Sequence, residues 1–155
     1  MATTVTEAPL PLPPEGLSYG GVGLRFAKLV PGDPSRGLVA YYHFRILSED
    51  GFDVGHINFR VGDNEHVRTS AGHIGFEVLE AFRGRGYALR ACQAIAPFVR
   101  SVFDAVIITC DPGNRASRRT IERLGASFID EAAVPSNDPH YRRGSFSKRR
   151  YRWRP

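Results

Sequence analysis

The apolar positions of this chain change their spacing near residue 80, and the change splits it into two kinds of structure. From Val22 to Leu79 they recur largely at a period of two, the spacing of half-buried strands. Val22 to Val30 is a first strand, stopped by Pro31-Gly32-Asp33-Pro34. Leu38 to Leu47, rich in β-branched and aromatic residues, is a second. The turn Ser48-Glu49-Asp50-Gly51 leads into a third, Val54 to Val61, and Gly62-Asp63-Asn64-Glu65 turns again before a fourth, His73 to Leu79. Short turns between them predict an antiparallel meander.

Beyond that point the period becomes helical. Ala88, Ala91, Cys92, Ile95, Val99 and Val102 mark one face of a helix, in which Pro97 is expected to produce a kink or a split of the last turns. Ala105 to Cys110 is a short buried strand ended by Asp111-Pro112-Gly113. Asn114 to Leu124 is a second helix, with Ile121 and Leu124 inward and Gly125 just past its end. Ala126 to Val134 and Tyr141 to Trp153 are two further strands, joined by a loop from Pro135 to Pro139. Four strands, helix, strand, helix and two strands predict a mixed α/β (α+β) sheet, in one domain over residues 19–155. Residues 1–18, with Pro9, Pro11, Pro13 and Pro14, are expected to form a disordered arm. The start has neither the basic residues nor the apolar stretch of a secretory signal or transit peptide.

Composition narrows the class without naming a chemistry. A length of 155 residues suits one domain with a real core. No apolar run approaches the ~18 residues of a membrane span, so the expectation is a cytoplasmic protein with no membrane partner. Cys92 and Cys110 lie in apolar stretches without a Cys-x-x-Cys pattern and are expected to be reduced, buried thiols. The five histidines show no metal-ligand spacing, and no metal is expected. The net charge of +5 is uneven: the stretch from Tyr141 onward has seven basic residues and no acidic one. Such a strand suits nucleic acid, the phosphates of a ligand, or a solvated sheet edge that charge keeps from aggregating.

Phe82-Arg83-Gly84-Arg85-Gly86-Tyr87-Ala88 lies between the fourth strand and the first helix. A glycine turn there is an anion cradle, because helix N-termini expose unpaired N–H groups and a positive dipole end. Arg83 and Arg85 add cationic donors. Two common phosphate motifs do not fit. The third glycine of a dinucleotide fingerprint would fall at Leu89, and no Gly-Lys-Ser/Thr of a P-loop occurs.

The strand ending at Val78, the Arg83-x-x-Gly86-x-Ala88 pattern, the Asn114-x-x-Ser117 helix and the Leu124-Gly125 ending occur together. Their combination resembles the GCN5-related N-acetyltransferase (GNAT) superfamily over roughly His73 to Ile129. The resemblance implies an acyl-CoA N-acyltransferase (GNAT-like) fold in which the fourth and fifth strands splay apart. It implies acetyl-CoA as co-substrate, with the pyrophosphate on Arg83, Gly84, Arg85, Gly86, Tyr87 and Ala88. Val78 and Leu79 would meet the pantetheine arm and thioester, where a backbone N–H polarises the acetyl carbonyl. Asn114 would contact the pantetheine, with Ser117 beside it.

The same resemblance frames the catalytic candidates. Many members carry a proton-donating tyrosine at the place of Ile121, so Ser117 is the nearest hydroxyl here. A carboxylate on the fourth strand often serves as base, which makes Glu77 and, by its ordinary pKa near ~6.5, His73 the candidates. The family's helices between the first two strands are reduced here to about eight residues, Pro31 to Leu38. The acceptor side should therefore be open, or completed by Tyr41, Tyr42, Arg60, His140, Tyr141 or a partner subunit, as in a homodimer. The expected activity is direct acetyl transfer to a primary amine of a small molecule or protein, in a ternary complex. The alternatives are a catalytically weak acyl-CoA-binding regulatory module, or a nucleic-acid-associated protein using the basic last strand; nucleic acid is not the expected partner.

Overall fold

The computed structural model describes residues 9–155. Its strands are β1 (Ser18–Tyr19), β2 (Val22–Val30), β3 (Tyr41–Leu47), β4 (Asp53–Arg60), β5 (Ile74–Val78), β6 (Val106–Cys110), β7 (Ser127–Ala133) and β8 (Ser147–Trp153). Its helices are α1 (Tyr87–Val102), α2 (Arg115–Arg123) and the single turn α3 (Pro139–Arg142). The strands form one mixed sheet in the order β1-β2-β3-β4-β5-β6-β8-β7. The four expected meander strands are β2 to β5, each antiparallel to the next.

Alternation in β3 sorts the two faces of this half. Tyr42, Phe44 and Ile46 are buried, while Tyr41, His43 and Arg45 point the other way. The apolar face packs on α1, which buries Ala91, Cys92, Ile95, Phe98 and Val99. Phe98 sets its ring edge-on to Tyr42 and Phe59 at centroid distances of 4.9 and 5.3 Å. Pro97 does not split the helix, which runs unbroken to Val102. The proline sits on the exposed side, where water can satisfy the carbonyl it leaves without a partner. Between β2 and β3 the chain makes one 3₁₀ turn, Pro34–Arg36, in place of a helix.

Several strand boundaries shift from expectation, the last strand furthest. The last strand begins at Ser147, not Tyr141. Asp138 caps the preceding turn by accepting from the His140 N–H, and Pro139 suits its first position, so local helix signals win over weak alternation. Residues 67–71, between β4 and β5, form a turn of π-helix against β6 and β8. Of the proline-rich arm, residues 1–8 lie outside the described part. Further along it, Tyr42 Oη donates to the Pro11 carbonyl and Leu17 enters the core.

The feature that positions the site is the contact between β5 and β6. They run parallel with one register pair, Ile74 with Ile108, and then separate. β6 spends its other edge on β8. The far end of β5 is thus left with an open edge facing a gap.

Candidate active site

That gap continues into a cleft of about 540 Å³. Its walls are Phe76 to Val78 of β5, the turn around Gly84 and Gly86, the start of α1, and one face of α2. Leu79 N–H donates to the Val54 carbonyl, and the His73 carbonyl accepts from Arg60 N–H. Odd-numbered positions of β5 therefore serve β4, and Phe76 and Val78 turn their backbone groups toward the gap. Arg83 Nε donates to the Val78 carbonyl at 2.9 Å, tying the turn to the strand end.

Gly84 and Gly86 have φ of +80° and +74°. An L side chain in that region costs ~1–2 kcal/mol, so the turn needs glycine at both places. Gly86 is the N-cap of α1 and offers no side-chain acceptor, which leaves the first N–H groups of a 16-residue helix for an external anion. On the opposite wall, Asn114 Oδ1 accepts from the Ser117 N–H at 3.1 Å and caps α2. That bond leaves the Asn114 amide NH₂ for a ligand.

A family model described as "Acetyltransferase (GNAT) domain" matches residues 25–127. The chain belongs to the GNAT acetyltransferase family. No curated protein matches it. Among solved structures it is similar to the microcin C7 self-immunity acetyltransferase MccE in complex with acetyl-CoA and AMP, at 19% identity and a TM-score of 0.54, covering 74% of this chain and 61% of that one. It is similar to RimL, a ribosomal L7/L12 alpha-N-protein acetyltransferase, at 19% identity and a TM-score of 0.54, covering 73% and 68%. A GNAT-family acetyltransferase from Bacillus anthracis gives 23% identity and a TM-score of 0.54, covering 72% and 64%. These likenesses carry the fold, and the chain spans about 61–68% of the length of those three proteins.

Within this GNAT domain the cleft gathers most of the residues singled out from the sequence. Glu77, Val78, Arg83, Gly84, Gly86, Tyr87, Ala88, Asn114 and Ser117 line it. Leu79 and Arg85 do not. Leu79 is 45% exposed, and the Arg85 guanidinium lies over the Phe82 ring at 5.9 Å. Arg119, Thr120 and Arg123 also line the cleft and were missed. Their signal was available: with Ala116 they repeat at three- and four-residue spacing along the face of α2 that looks at the turn. Arg119 and Arg123 enter no ion pair with a side chain among the described residues, so the wall is cationic and suits a polyanionic ligand.

His73 lies outside the cleft. Its side chain is 3% exposed, and Nδ1 accepts from the Ile107 N–H at 2.9 Å. The His73 N–H in turn donates to the Ile107 carbonyl at 2.7 Å. The imidazole thus stands in for a backbone acceptor where β5 meets β6. Burial, opposed by Asp63, moves its pKa below the ordinary histidine value. Glu77, in contrast, is exposed on the polar face of β5. It sits opposite His56 of β4 in register, and the His56 ring lies 5.3 Å from that of His43. Burial first, and then His43, lower the His56 pKa from its usual value. His56 is therefore neutral at neutral pH and able to accept a proton.

Ser117 is half-buried on the cleft wall, and its hydroxyl has no hydrogen-bond partner among the described residues. Ile121, at the family's tyrosine position, is wholly buried. Of the acceptor candidates, Tyr42 is in the core. Arg60 lies over the Tyr41 ring at 5.8 Å and donates to the Ala71 and Gly72 carbonyls. His140 and Tyr141 lie on α3, with Tyr141 against Phe146. In β8, Lys148 pairs with Asp111, Arg150 makes a two-pronged pair with Asp130, and Arg149 stacks on Phe128 at 4.2 Å. Cys92 and Cys110 are buried free thiols. Among the described residues no helix is long and apolar enough to cross a membrane.

Proposed function

We propose that residues 19–155 act as one N-acetyltransferase unit that moves the acetyl group of acetyl-CoA directly to a primary amine, on a small molecule or a protein. The observation that carries this reading is the cleft itself: one space joins an open strand edge, an uncapped helix N-terminus behind two left-handed glycines, and a cationic helix face. A long ligand with an anionic end and an amide-bearing arm fits those three walls. A RimL structure of the same fold is in complex with coenzyme A. Acetyl-CoA supplies an activated acetyl thioester when bound.

The chain's own residues then divide the work. The N–H groups of the turn and of α1 hold the pyrophosphate. Backbone groups of Phe76 and Val78 align the arm along β5, with the Val78 N–H directed at the acetyl carbonyl. Glu77 takes the proton of the incoming amine, directly or through one water, and His56 beside it is neutral and can relay it. Ser117 holds the proton for the departing thiolate. The open polar face of β3 to β5 receives the acceptor, and a second copy of the chain is one way of closing it. Two reduced thiols and a need for acetyl-CoA favour the cytoplasm. The side-chain commitments of Lys148, Arg149 and Arg150 weigh against nucleic acid as partner.

The direct test is thiol release from acetyl-CoA across a panel of small amines and N-terminal peptides. Amine-dependent release is expected. Acetyl-CoA binding without release for any amine would favour the regulatory module instead, and no binding at all would overturn both readings. For Ser117→Ala, kcat should fall roughly tenfold while the acetyl-CoA Kd stays within about twofold of wild type. An unchanged kcat would assign the thiolate proton to water.

A further inference from the structure

We infer that Arg90, a side chain outside the cleft, is the positioning residue that aims the pyrophosphate-binding peptides of the turn; this rests on the acetyl-CoA reading above. Its guanidinium gathers three carbonyls and a carboxylate. Nη2 donates to the Arg85 carbonyl at 2.8 Å, Nε to the Gly86 carbonyl at 3.3 Å, and Nη1 to the Gly20 carbonyl at 3.1 Å. Nη1 also pairs with Glu49 Oε1, and the guanidinium lies over the Tyr87 ring at 4.9 Å. The planar, fork-shaped group suits this many fixed acceptors, where an ammonium would not.

The acceptors matter because of peptide geometry. In a trans peptide the C=O and the following N–H lie in one plane and point in opposite directions. Holding the Arg85 carbonyl therefore turns the Gly86 N–H away from Arg90; the Gly86 carbonyl also accepts the Arg90 backbone N–H at 3.1 Å, the first bond of α1, so the side chain only reinforces the direction of the Tyr87 N–H. These are two donors of the anion cradle. The Arg85–Gly86 peptide lies between the two left-handed glycines, and its carbonyl is held by Arg90 Nη2, so this side chain preorganises it.

The anchor's far side is also built for the purpose. A Cβ on Gly20 would come within 3.0 Å of Arg90 Cδ, and one on Gly21 within 2.7 Å of Glu49 Cγ. The β1–β2 turn is thus glycine where the clamp closes on it. Gly20 lies before the 25–127 stretch that the family model matches. The N-terminal hairpin and the β3–β4 turn carrying Glu49 thereby act on the cofactor loop through one arginine.

The test compares two acetyl donors on the full chain: acetyl-CoA, and acetyl-pantetheine, which lacks the pyrophosphate. Arg90→Ala should raise the KM and Kd for acetyl-CoA about tenfold or more at nearly constant kcat, whereas kcat/KM for acetyl-pantetheine changes less than about twofold. Glu49→Gln, which keeps the arginine and loosens its anchor, should show the same donor selectivity at smaller amplitude. Arg90→Lys should resemble Arg90→Ala. Equal losses on both donors in Glu49→Gln and Arg90→Ala would make the arginine a general fold brace, and no loss on acetyl-CoA would remove its role; either result overturns the proposal. A wild-type chain that binds no acetyl-CoA would instead defeat the underlying cofactor reading.

Discussion

Gly86→Glu is expected to raise the acetyl-CoA Kd by about a thousandfold or more in a chain that still folds. Two effects add. The φ of +74° at this position disfavours any side chain, by ~1–2 kcal/mol. A carboxylate would also sit at the N-terminus of α1, filling the anion position and repelling the pyrophosphate. Two unit charges ~4 Å apart at an effective dielectric constant near 20 interact by ~4 kcal/mol, which alone is about a thousandfold. The fold should survive, because the nearest atom to a Cβ at Gly86 is Arg90 Nε, 4.0 Å away, and a helix start tolerates an acid. Gly86→Ala isolates the strain and should weaken binding by roughly tenfold at most. Titration calorimetry on both variants, with a thermal melt as the fold control, separates the terms. Near-normal affinity in Gly86→Glu would mean that the pyrophosphate binds elsewhere.

This turn was legible in the sequence because its information is local. Glycine spacing between a strand and a helix specifies the cradle before any long-range contact is known. The same holds for β3, whose buried Tyr42, Phe44 and Ile46 alternate with outward Tyr41, His43 and Arg45. What the sequence hid was pairing at a distance. His73 has the side-chain type and strand position of a base, yet its imidazole is consumed by the Ile107 amide 34 residues away. Arg90 reads as an ordinary helix arginine until Gly20 and Glu49 come round to meet it. The basic run of β8 suggested a charged surface, but Asp130 and Asp111, from other strands and turns, take up Arg150 and Lys148. Charge counts along the chain cannot see such partners. The acceptor side was partly legible too: a short Pro31 to Leu38 segment forecast the missing helices, and one 3₁₀ turn stands there.

Glu77→Gln should lower kcat/KM for the amine by about a hundredfold or more, leaving acetyl-CoA affinity unchanged. The substitution keeps the size of the side chain and removes only its capacity to take a proton. The pH dependence gives the sharper reading. A base and an attacking amine both work deprotonated, so the wild-type rate should rise with pH. Without Glu77 the limb belonging to the base should flatten, and the amine limb should remain. His56 provides the internal comparison. Burial and the neighbouring His43 disfavour its charged form, so any limb it contributes must lie below the ordinary histidine range. His56→Asn should cost less than Glu77→Gln if histidine only relays the proton. His73→Ala should behave differently from both. It strips the Ile107 N–H of its acceptor, a loss of ~1–3 kcal/mol in stability, and should leave the shape of the pH profile intact. A Glu77→Gln enzyme with the wild-type profile would pass the role of base to His56, whose own variant would then have to lose the acid limb.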